Sequence, residues 1–242
     1  MKSSIRIAAV SSLAVAAAAL LPAGSSLAAS FPARTGAVDA TAGQVFVQTD
    51  AASGNSVAVY DQTAGGGLRA AGTYPTGGLG GALGGSVVDH LASQGSLAFD
   101  RTHGLLYAVN AGSNTVTVFS VEGHQLTRRQ VISSGGAFPV SVAVHGNLVY
   151  VLNARDSGTI QGFLRVGQFL VAVPAWHRAL GLDPALTPEF VTTPGQVAFT
   201  PDGSKLIVTT KANGNDIDVF AGSADPRPPV PNYPAEETRH HD

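Results

Sequence analysis

At 242 residues with 44% apolar and 12% charged side chains, the chain is long enough to bury a sizeable core. It has no cysteine, which removes disulfides, thiolate nucleophiles and thiolate metal sites together. A formal charge of −2, with no basic cluster, excludes the electrostatic footprint of a nucleic-acid or anionic-membrane binder.

Lys2 and Arg6 precede an uninterrupted small and apolar run, Ile7 to Leu21, that Pro22 and Gly24 break. Ser26-Leu27-Ala28 then supplies small residues at the −3 and −1 positions of a signal-peptidase site. The run of fifteen falls short of the roughly 20 residues that span a bilayer. Residues 1–28 therefore read as a secretory signal peptide, with no membrane span and no cysteine for a lipid anchor. The expected destination is outside the cell. Without Lys2 and Arg6 the mature chain carries 12 cationic against 16 anionic side chains, a charge of −4. Residues 29–44 read as a linker.

From Val45 onward the chain repeats itself. An incomplete first copy is Val45–Thr49 followed by Ser56–Tyr60. Three fuller copies follow, beginning at Ser96-Leu-Ala-Phe-Asp, Ser141-Val-Ala-Val-His and Gln196-Val-Ala-Phe-Thr. In each, a short apolar strand, a tight turn and a second apolar strand lead to a third strand: Thr115–Phe119, Thr159–Phe163 and Asp216–Phe220. The third strands alternate with period two. Pro201-Asp202-Gly203 has turn chemistry, with Gly where φ is positive, and Asn114 and Asn213 to Asn215 mark further hairpins. The equivalent residues Tyr107 and Tyr150 are 43 apart, and Ile207 lies 57 beyond Tyr150. Strand units recurring every 40–60 residues match radial blades. An immunoglobulin-like sandwich predicts no such self-similarity. The fold class is all-β: a β-propeller of four-stranded blades over residues 45–222, about four blades, the last incomplete. Thr76 to Ser86, mostly glycine, reads as a flexible or tightly turning loop. Residues 223–242, with five prolines, read as a disordered tail.

Leu106-Tyr-Ala-Val-Asn110, Val149-Tyr-Val-Leu-Asn153, the Thr200-Pro-Asp-Gly203 turn and the Gly-Gly-Ala-Phe-Pro139 strand entry carry a family resemblance. These units resemble the YVTN-repeat propellers of the seven-bladed lactonase family, which includes 6-phosphogluconolactonase and carboxymuconate cyclase. The resemblance implies that this chain holds part of a seven-bladed ring, a truncated arc with two apolar faces unless two arcs self-associate to close it. It also implies lactone hydrolysis at the channel mouth, where each inner strand begins. There the binding candidates are Ser96, Ser141 and Gln196. Members that look catalytic place a His just before the inner strand, whereas this chain has Gly95, Val140 and Gly195, so no catalytic residue is assigned.

The remaining candidates favour structural roles. His103 and His145 read as solvated turn residues at the opposite rim, and Arg155 with Asp156 as a surface ion pair. Asn213–Asp218 reads as a hairpin and not as a calcium loop, since spaced carboxylates are missing. Trp176-His177-Arg178 reads as an irregular excursion between blades. Gly65–Ala70 loosely fits a dinucleotide pattern, but Tyr74-Pro75 follows where a helix is needed. The expected set is therefore no cofactor, no metal, no nucleic acid, and a small lactone or carbohydrate as partner. A non-catalytic propeller binding a small molecule, glycan or protein stands as the competing reading.

Overall fold

The computed structural model describes residues 43–222. The segments expected to be a signal peptide and a proline-rich tail, and most of the expected linker, lie outside them. Fourteen strands form four antiparallel sheets, which we name blades A to D. Blade A holds β1 (Gly43–Gln48), β2 (Ser56–Gln62) and β3 (Leu68–Pro75). Blade B holds β4 (Leu97–Asp100), β5 (Leu105–Asn110), β6 (Thr115–Glu122) and β7 (Gln125–Ser133). Blade C holds β8 (Pro139–His145), β9 (Leu148–Asn153), β10 (Thr159–Val166) and β11 (Phe169–Ala179). Blade D holds β12 (Gln196–Phe199), β13 (Lys205–Thr209) and β14 (Ile217–Ala221). The all-β propeller of about four blades is what the structure shows. Sequence neighbours pair throughout, so each blade is an up-and-down meander. No helix among the described residues is long and apolar enough to cross a membrane.

The repeat motif has a direct packing reason. Strand β5 is buried along its whole length, as β9 is from Val149 onward, because both faces of a middle strand meet neighbouring blades. Val57 and Val59 of blade A pack with Leu106, Ala108 and Phe119 of blade B. Tyr107, Val118, Val140, Val149, Phe163 and Leu206 continue the core across blades B, C and D. Burying each such side chain contributes about 1.5–3 kcal/mol. The asparagine that ends each motif is fully buried and polar for a purpose. Asn110 Nδ2 donates to Thr115 and Thr117 of its own blade, while its Oδ1 accepts from Asn55 of blade A. One blade on, Asn153 Nδ2 donates to Ser134 O and to Thr159 Oγ1.

Two segments differ from the sequence expectation. Trp176–Arg178 is not an excursion but the end of β11, which resumes pairing with β10 after a bulge. Trp176 stacks on Tyr150 with ring planes 19° apart. The glycine-rich segment between β3 and β4 is a strap and not a free loop. Its backbone bonds Asn55 and Ala51 of blade A, Gly112 of blade B and Gly195 of blade D. Leu83 and Leu91 on it are buried at 1% exposure. Glycine is required where the strap passes blade A, since a Cβ on Gly80 would stand 2.1 Å from the Asp50 carbonyl carbon.

Candidate functional site

We call the rim that carries the starts of the inner strands the upper rim. Here three elements converge: the strap, the short helix α1 (Glu189–Thr192), and the ends of β12 and β13. Between them lies a cavity of about 590 Å³. Its walls are Gly85 to Asp89 and Ala92 to Gln94 of the strap, Phe190 and Val191 of the helix, and Gly195, Gln196, Thr209 and Lys211 of blade D.

Local chemistry fixes each wall. On the strap, Asp89 closes a turn: Oδ1 accepts from the backbone N–H of Leu91 and Ala92, and Oδ2 from that of Ser93. Ser93 Oγ donates to the Val140 carbonyl of blade C at 2.8 Å. The helix is held from both sides by Glu189. Its carboxylate accepts from Arg155 Nε and from Gly84 N, each at 2.5 Å. The Arg155 guanidinium and the Gly84 backbone bond hold that carboxyl below the usual range. Arg155 also lies 4.1 Å over the Phe138 ring, so it pairs with Glu189 and not with Asp156 as the sequence suggests.

Lys211 joins all three elements. Its Nζ donates to Phe190 O at 2.6 Å, Ala92 O at 2.9 Å and Thr193 Oγ1 at 3.1 Å. An ammonium has three protons, so all are committed. Burial pushes this group down to about 8, with Asp89 opposing. The cavity wall therefore carries one cation whose protons are all committed and one exposed carboxylate that accepts three backbone N–H groups.

The three channel-mouth candidates meet different fates. Gln196 lines the cavity and is exposed. Ser141 is fully buried: its hydroxyl donates to Gln94 O at 2.6 Å and accepts from Val197 N at 3.2 Å. It thereby ties the strap and blades C and D together at the channel mouth. Ser96 is half-buried at the start of β4, and its carbonyl accepts from Val109 N. Of the three, the structure puts only Gln196 against the cavity. The sequence reading missed Lys211, Asp89 and Gln94. Their partners lie on the strap and the helix, far off in the chain, so no local spacing marks them.

The lower rim departs from expectation at both histidines. His103 is not a free turn residue: Nδ1 stands 2.6 Å from Asp100 Oδ2, and Arg165 Nη2 reaches Nε2 at 2.8 Å. A guanidinium only donates, so Nε2 accepts and Nδ1 donates to the carboxylate. Arg165 also bonds Asn147 and Gly167 O, which binds blade B to blade C. The Asp-x-x-His spacing of 100 and 103 was the available signal. His145 lies against Phe199, with ring centroids 5.6 Å apart, as a packing residue between blades C and D. Among the described residues no cluster of His, Asp and Glu could hold a metal ion.

Meandering sheets laid blade against blade, with a cavity at the rim where inner strands begin, define a β-propeller. The chain belongs to the lactonase, 7-bladed beta-propeller family, whose model matches residues 34–168. That match ends before helix α1 and blade D, which supply six of the fourteen residues of the cavity wall. No curated protein matches the chain. Among solved structures, it is similar to a functionally unknown protein from Desulfotomaculum acetoxidans, with TM-score 0.55 and 19% identity over 75% of this chain and 51% of that one. Two proposed 6-phosphogluconolactonases are also similar. The one from Bacteroides uniformis has TM-score 0.47 and 13% identity over 79% and 68% of the two chains. The one from Bacteroides fragilis has TM-score 0.48 and 16% identity over 69% and 47%. The chain thus spans about half the length of the Desulfotomaculum acetoxidans protein.

Proposed function

We propose that this lactonase-like propeller binds a small lactone or sugar-derived ring in the upper-rim cavity, and that binding is what the chain does by itself. A single observation supports this reading. Ring hydrolysis needs a base to activate water and a free donor for the developing oxyanion. Here the Asp89 carboxylate already accepts three backbone N–H groups and Lys211 already donates to three oxygens. The groups left over are the Gln94 and Gln196 amides and the Thr209 hydroxyl, which make no hydrogen bond to the described residues, beside the apolar Val87, Val88, Phe190 and Val191. Such a set suits a cyclic ester, which has carbonyl acceptors and an apolar ring edge. The signal-peptide pattern of residues 1–28 supports action outside the cytoplasm, checked by finding a mature N-terminus near Ala29 in the culture supernatant.

Calorimetric titration with γ-butyrolactone and several aldonolactones, run beside a pH-stat hydrolysis assay, tests the reading. Binding is expected, weakened about tenfold by Gln196→Ala through loss of roughly one hydrogen bond. No hydrolysis above the buffer rate is expected. Hydrolysis that Asp89→Asn abolishes would overturn it in favour of an enzyme.

A further inference from the structure

Charge at the cavity wall carries the reading one step further, to the class of ring that fits. A phosphorylated ring arrives with nearly two negative charges and a tightly held hydration shell. A site that takes it must present donors in its place, as free Arg or Lys protons or as an open helix N-terminus. The upper-rim cavity offers none of these among its described walls. Lys211 is its one cation, and each ammonium proton already points at Phe190 O, Ala92 O or Thr193 Oγ1. Asp89 lines the same cavity, and its negative charge opposes the field that the lysine sends into the space. The backbone N–H groups nearest the carboxylate, those of Leu91, Ala92 and Ser93, are used by Asp89 itself. Phe190 N is likewise taken, by Gly84 O.

Arg155, in the loop between β9 and β10, is held by Glu189 in a two-pronged pair at 2.5 and 3.2 Å. It is also absent from the cavity wall. A phosphate placed here would meet the apolar Phe190 and Val191 and, in place of its hydration, only the neutral donors of Gln94, Gln196 and Thr209. Neutral hydroxyls and ring carbonyls lose far less, and the Gln94 and Gln196 amides can both donate and accept.

From this arrangement we infer that the cavity selects uncharged, unphosphorylated lactone or sugar rings and rejects their phosphate esters. The inference rests on the binding reading above and names its ligand class. Gln94 and Gln196 are the residues that read the ring, and the Asp89–Lys211 pair sets the charge preference.

The test uses the full chain and two stable isosteres, D-glucono-1,5-lactam and its 6-phosphate, titrated at pH 7 in low and high salt. The neutral lactam is expected to bind at least tenfold more tightly, with an affinity that salt leaves unchanged. In Asp89→Asn, which keeps an oxygen acceptor for the turn, the lysine charge is uncovered. The ratio of phosphate-ester to lactam affinity should then rise about tenfold. Equal or tighter binding of the phosphate ester by the wild-type chain overturns the charge selection and leaves the binding site standing. Failure of both compounds to bind overturns the binding reading, and the selection falls with it.

Discussion

Lys211 makes folding stability depend on pH with an unusual sign. Its amine is ordinarily protonated up to about 10.5, and burial in the cavity wall brings it down to about 8. Between those values the unfolded chain holds a proton that the folded chain has released, so stability rises with pH across the window. From pH 8 to pH 9.5 a fully shielded group of this kind adds about 1.6 kcal/mol, at 1.36 kcal/mol per unit. Lys211 is only half-buried, and solvent screening cuts that to about 0.8 kcal/mol. The window must close at 9.5, because burial raises the Tyr107 phenol, and above pH 10 its ionisation in the unfolded chain removes stability. Urea unfolding at pH 8.0 and 9.5, followed by fluorescence of the single tryptophan, Trp176, measures the effect. With a slope of about 2–3 kcal/mol per molar urea, the midpoint should rise by about 0.3–0.4 M in wild type and stay level in Lys211→Met. A wild-type midpoint that stays level or falls, or an equal rise in the variant, refutes the reasoning.

Three further outcomes follow from the packing. Gly203 has φ +70°, and a Cβ there would stand 2.2 Å from the His145 ring, so Gly203→Ala should cost about 2–4 kcal/mol in urea unfolding. The Gln130 side chain acts as a substitute strand for β11, donating to Leu170 O at 3.0 Å and accepting from Leu170 N at 2.7 Å. Gln130→Ala should lose about 1–2 kcal/mol and, by baring the edge of Phe169–Val173, should raise light scattering on storage. The Glu189 carboxyl is depressed chiefly by Arg155, so its contribution is present above about pH 4.5 and is lost as pH falls through the folded value. The stability gap between wild type and Glu189→Gln should therefore shrink on acidification from pH 7 to 4, as calorimetric melting would show.

Strands were legible because their signal is local. Alternating valines at 116 and 118, the paired motifs ending in Asn110 and Asn153, and the Pro201-Asp202-Gly203 turn each lie within a few residues of their structural consequence. The strap was not, because composition alone makes Thr76–Ser86 look free. What fixes it are partners such as Ala51, Gly112 and Glu189, up to about a hundred residues away in the chain. The same distance hid Lys211, whose three acceptors sit on two other elements. Trp176 was misplaced for a different reason: the bulge in β11, which contains the proline at 174, breaks the period-two pattern, although pairing resumes beyond it. At the upper rim, Gln196 lies at the start of β12, and nothing in the local pattern separates it from Ser141, whose hydroxyl is consumed internally.

The strap also orders events in time. Each blade is a local meander that can pair its own strands early, since the partners are close in the chain. The strap leaves blade A near residue 76, yet its far end is held by Gly195 and by Lys211 of the last blade. Those bonds span more than a hundred residues and can form only after blade D has docked. The cavity they enclose is thus the last part of the chain to acquire its shape. A bound ring would then act as a seal on completed assembly, stabilising only molecules in which every described blade is in place.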